Sequence, residues 1–154
     1  DEIEVLSAHN KYRAQIHQEN TGIPALKPLV WSQELADHAK AWAEHLVANN
    51  LWEHDSNRPN DEGENLHSGS STFAAAIDSW GDEKKCFKNG VMRDIYNGQC
   101  DSDPDCIDDK DWHCSGHYSQ MVWRDTTQVG CGRAKSITAC RYRPPGNYTG
   151  QKAY

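Results

Sequence analysis

The sequence predicts one α+β domain covering residues 1–154, and three observations carry that reading. A helical face repeats through residues 35–46, two strand-like runs lie near the end of the chain, and neither an internal repeat nor a linker separates them. A chain of 154 residues is also long enough to bury a substantial core as one unit.

Residues 3–17, IEVLSAHNKYRAQIH, carry apolar side chains at Ile3, Leu6, Ala14 and Ile16, a pattern compatible with an amphipathic helix that ends untidily. PALKPLVW follows as an extended, proline-punctuated connection. Ser32 is a good N-cap for the next segment, where Leu35, Ala39, Trp42, Ala43 and Leu46 share one face. Residues 54–71, HDSNRPNDEGENLHSGSS, are polar and rich in turn formers, and so long a stretch without evident periodicity is often functional. Phe73, Ile77 and Trp80 mark another helix beginning near Ser71 or Thr72. From Gly81 to Cys114 the chain reads as irregular, stapled by four cysteines. Val129–Ala134 and Ile137–Arg143 resemble two strands joined by a short turn at Lys135 and Ser136, and PPGN at 144–147 is a further turn.

Composition bounds the function. A net charge of −7 argues against a nucleic-acid partner, which requires clustered Lys and Arg. No apolar run approaches the roughly 20 residues of a membrane span. The six cysteines, Cys86, Cys100, Cys106, Cys114, Cys131 and Cys140, are even in number and lack the two close C-x2-C pairs of a zinc site. They read as three disulfides in an oxidising compartment. The N-terminus has neither a basic start nor an apolar core, so the expectation is a secreted, extracellular chain already freed of its signal peptide.

Histidine is the commonest metal ligand and general base, and the chain has eight. His9, His17, His38 and His45 lie on expected helices; His38 and His45 share a face about 10 Å apart and read as surface residues. His54 and His67 bracket the polar stretch, while His113 and His117 flank Cys114. H-E-x-x-H, G-x-S-x-G and a Gly-rich phosphate loop are all missing. The run GHYSQMVWRDTTQVGCG at 116–132 sets hydrogen-bonding side chains beside an apolar strand. Taken by residues alone, His54, Glu64 and His117 remain an unassembled set, and a satisfied or exposed histidine is the default reading.

Motif order is more specific. GHYSQMVW, then GCGRA and CRYRPPGNY, closely resemble the two signature segments of the CAP superfamily, which comprises cysteine-rich secretory proteins, antigen 5 and pathogenesis-related proteins. AHNKYRA, GENLHSG, WGDE at 80–83 and the terminal GQKAY resemble further family motifs in the same order. The resemblance covers the whole chain and implies a three-layer α-β-α sandwich with a central antiparallel sheet, stabilised by disulfides. It also implies a cleft lined by His54, Glu64, Glu83 and His117, with His67 competing for the first position and Asp82 for the third. Such a tetrad could bind a divalent metal, zinc before magnesium or calcium, with the glutamates as ligands or as hydrogen-bond partners of the imidazoles. The implied role is non-enzymatic: a monomer that binds a small apolar ligand such as a sterol or fatty acid, or serves defence through a protein partner. The alternative is a metal-dependent hydrolase with Glu64 or Glu83 as base. The resemblance further implies the pairs Cys131–Cys140, Cys100–Cys114 and Cys86–Cys106.

Two remaining motifs have ordinary readings. CDSDPDC begins like a calcium loop, but Cys106 replaces the required glycine and Trp112 the bidentate glutamate, leaving a solvated acidic loop. Asn147-Tyr148-Thr149 is a glycosylation sequon by pattern, although the resemblance gives Asn147 a structural part in its turn. Tyr118, Ser119, Gln120 and Trp123 are expected to support the cleft wall by packing and hydrogen bonds.

Overall fold

A computed structural model describes residues 1–87, 90–91 and 115–154. Along the chain run α1 (Glu2–Glu19), β1 (Val30–Trp31), α2 (Gln33–Asn49), β2 (Gly63–Ser68), α3 (Phe73–Gly81), a 3-10 turn (Asp82–Cys86), α4 (Gly116–Met121), β3 (Gln128–Ala134) and β4 (Ile137–Arg143). The sheet order is β1-β3-β4-β2. β3, β4 and β2 are antiparallel, and two-residue β1 joins the far edge in parallel. α2 covers one face of this sheet and α1, α3 and α4 cover the other, which is the expected α-β-α sandwich.

Local signals account for much of it. Ser32 caps α2 by accepting from the Leu35 amide, and Leu35, Ala39, Ala43 and Leu46 are buried while Trp42 is half-buried. Thr72 caps α3 in the same way, accepting from Ala75. The hairpin β3–β4 turns at Lys135 and Ser136, and Cys131 faces Cys140 across it, joined by a disulfide. Gly130 and Gly132 flank that cysteine because α2 lies directly on them: a Cβ at Gly130 would fall on the Ala36 amide, and one at Gly132 on the Lys40 backbone. No described cysteine is free, and Cys86 is disulfide-bonded. The expected pairs Cys86–Cys106 and Cys100–Cys114, like the acidic loop at 101–105, involve residues outside the described ones.

Four elements differ from the expectations. The buried face of α1 is Val5, Ala8, His9, Tyr12, Arg13 and Ile16, whereas Ile3 is 81% exposed. Polar residues bury there because distant groups satisfy them. His9 bonds the Tyr142 hydroxyl at 2.8 Å and the Val5 carbonyl at 2.9 Å, and Arg13 donates to the carbonyls of Lys27, Met121 and Trp123. Second, the polar stretch 54–71 contains a true strand, β2, paired along its whole length with β4. Third, GHYSQM forms the short helix α4. Fourth, His38 is more than a surface residue, since its Nδ1 bonds the buried Glu62 carboxylate at 2.8 Å.

Candidate functional site

Glu83 organises one half of the site. It leaves the 3-10 turn directly after α3, and its Oε2 accepts from His117 Nδ1 at 2.6 Å. Its other oxygen accepts from the backbone amides of His117 at 3.0 Å and Tyr118 at 3.2 Å. Glu83 therefore caps α4, whose own N-cap Ser115 makes no side-chain cap bond. The His117 ring also stacks on buried Trp80, with centroids 5.8 Å apart and planes 16° apart. The remaining polar residues of GHYSQMVW hold this helix in place. Ser119 donates to Asn147 Oδ1 at 2.6 Å, Asn147 Nδ2 donates to the Gly116 carbonyl at 2.7 Å, and Gln120 bridges Gly146 to Thr126.

The other half is built on β2 and β4. His54 Nδ1 donates to Glu64 Oε1 at 2.7 Å, and the Asp55 amide reaches the same oxygen at 3.1 Å. The second Glu64 oxygen lies 2.8 Å from Arg141 Nε, in ionic contact. Arg141, only 1% exposed, also pairs with Glu62 at 3.0 Å and Asp55 at 2.8 Å. Burial alone would raise the Asp55 carboxyl, but its bonds from Arg141 and the Asn57 amide hold it below the usual carboxylate range. Glu62 in turn meets Arg143 and His38, so one ionic network runs from His54 to α2.

A carboxylate only accepts hydrogen bonds, so both Nδ1 atoms carry protons and Nε2 is the nitrogen suited to ligation in each ring. The geometry also separates the competing residues. His54, not His67, contacts Glu64; Glu83, not Asp82, contacts His117. His67 bonds Ser70 Oγ at 2.6 Å and sets its ring edge against Trp80.

The four expected residues thus assemble as two His–Glu pairs. Strand alternation keeps the pairs apart: Glu64 and Leu66 address the α2 side, while Asn65 bonds the His117 carbonyl on the other. β2, which separates the pairs, is the last strand in the sheet. Among the described residues, no group of three or more His, Cys, Asp or Glu side chains is disposed to hold a metal ion.

A family model described as the cysteine-rich secretory protein family, CAP, matches residues 6–142. The chain belongs to the CAP family. Among its CAP relatives, pathogenesis-related protein 1A of Nicotiana tabacum is 32% identical over 97% of this chain and 78% of its own. Venom allergen 5 of Microctonus hyperodae is 32% identical over 97% of this chain and 69% of its own. Among solved CAP-like structures, BmVAL-1 superposes with a TM-score of 0.71 at 22% identity, over 99% of this chain and 81% of its own. NaASP2, solved with Zn2+, gives 0.71 at 22% identity over 98% and 83%. At that identity both speak for the fold alone.

Motif reading did not single out Glu62, Arg141 or His38. The signal was an arginine at an alternating position of β4, between Cys140 and Tyr142. A cation at an inward strand position requires buried carboxylates, and the acidic stretch NDEGEN supplies them.

Proposed function

We propose that this CAP domain is an extracellular binding protein whose His54 and His117 take a divalent metal, zinc first, while Glu64 and Glu83 orient them from behind. The observation that carries this reading is the pair of Nδ1–carboxylate bonds, at 2.7 and 2.6 Å. Such outer partners fix ring orientation and raise ligand basicity. Three of the four carboxylate oxygens accept hydrogen bonds and the fourth, Glu64 Oε2, is in ionic contact with Arg141, so orienting suits the glutamates better than direct ligation. A bound zinc would supply positive charge and open coordination positions. The carboxylates' engagement also removes the ready general base that hydrolysis would need, which favours binding over the hydrolase alternative. NaASP2, which shares this fold, was solved with Zn2+.

For a small apolar ligand, such as a sterol or fatty acid, the candidate place is an open groove of about 530 Å³ whose apolar wall is Leu46, Val47, Leu51, Trp52 and Ile137, with Asn50, Ser68, Lys135 and Ser136 completing it. The disulfides support an oxidising compartment. No helix among the described residues is long and apolar enough to cross a membrane. Zinc calorimetry on the intact protein tests the metal reading: His54→Ala and His117→Ala should each weaken binding at least tenfold with unchanged circular dichroism. Equal affinity in both variants overturns it. Sterol and fatty-acid extraction with mass spectrometry tests the groove, and recovery of neither rejects the apolar ligand.

A further inference from the structure

The end of β2 carries a second constellation, outside both His–Glu pairs. Ser70 Oγ lies 2.6 Å from His67 Nε2, and both residues are half-buried. The chain reaches this point through Gly69, at φ +107, a conformation that L side chains rarely adopt. Two residues after Ser70, Thr72 caps α3. Strand, glycine turn, serine and helix follow one another, so Ser70 sits on the short connection between β2 and α3. Arg133 pins the turn by donating to the carbonyls of Ser70 and Ser71. The Trp80 indole meets the His67 ring edge-on, with centroids 6.5 Å apart, and restrains it.

We propose that Ser70 is a nucleophile activated by His67, giving the chain a metal-independent activity toward small carboxylic esters. Burial first, then the charges of His117 and Arg133, lower the His67 pKa, so the ring stays neutral and can accept a proton. Ser70 Oγ bonds to the acyl carbon as its proton passes to His67 Nε2. The ester C–O bond then breaks, and the departing alcohol takes that proton. Water next attacks the acyl-serine and gives its proton to Nε2, which returns it to Ser70 as the carboxylic acid leaves. The net reaction is ester plus water to acid plus alcohol.

A fluorophosphonate probe, applied to the full chain in EDTA, tests the assignment by peptide mass spectrometry. The expected result is a single adduct at Ser70, absent in Ser70→Ala and formed at least tenfold more slowly in His67→Gln. Matching circular dichroism shows that the variants fold. No adduct on the wild-type protein overturns the proposal, as does an adduct on another residue. Undiminished labelling of Ser70 in His67→Gln also overturns it.

Discussion

Glu83 holds His117 twice, once at ring Nδ1 at 2.6 Å and once at the backbone amide at 3.0 Å. A single carboxylate thus sets both the ring's orientation and the start of the helix that carries it. Replacing it should separate the two roles. Glu83→Ala should cost about 1–2 kcal/mol of stability through the lost cap and weaken zinc binding about 10–100-fold. Glu83→Gln can still accept from the amides, so it should recover most of the stability and little of the zinc affinity. Thermal unfolding and calorimetry on the same preparations read the two effects.

Arg141 faces Asp55, Glu62 and Glu64, two of them fully buried. Arg141→Met would leave these carboxylates without their shared cation and should destabilise the fold by about 3–5 kcal/mol. Adding Glu62→Gln should restore part of that loss, because one buried charge disappears. Urea unfolding of the single and double variants gives the comparison.

His9 is fully buried, and desolvation pushes its pKa down from 6.5 to about 4. The folded form therefore binds this proton more weakly than the unfolded chain. Its contribution to stability is complete above about pH 6.5 and is lost as pH falls toward 4, a change of roughly 3 kcal/mol. Asp55, held low by Arg141 against its burial, acts in a separate window: its contribution is lost only below the ordinary carboxylate range. Unfolding free energies at pH 7 and pH 4.5 should differ clearly in the wild-type protein and much less in His9→Gln.

Asn147 carries the sequon, yet its amide spans Ser119 and Gly116, and its φ of +61 lies in the left-handed region. The nitrogen that would take a glycan is engaged inside the fold. Protein made in a glycosylating host should give an unmodified peptide across this site by mass spectrometry. Asn147→Ala should cost about 1–3 kcal/mol, because it removes the bonds to the Gly116 carbonyl and from the Ser119 hydroxyl and adds strain at a positive φ.

Helices α2 and α3 and the β3–β4 hairpin were legible in local spacing, because each has a cap or turn signal and a face whose apolar period matches its geometry. The burial pattern of α1 was not, since His9 and Arg13 read as polar until Tyr142 and the carbonyls of Met121 and Trp123 are placed beside them. β2 was hidden for a related reason. Its position facing α2 carries Glu64, and a glutamate signals an inward strand position only once Arg141 is known to lie opposite.

By itself, the sequence determined the family, through motifs kept in order, and it named His54, Glu64, Glu83 and His117 as residues of interest. Tertiary structure decided which carboxylate serves which imidazole: Glu64 for His54 across 10 residues, and Glu83 for His117 across 34. It also divided the four into two pairs on opposite sides of an edge strand. Local spacing describes which side chains share a face of one element. Pairing between elements depends on sheet register and helix packing, which emerge only when the whole chain has folded.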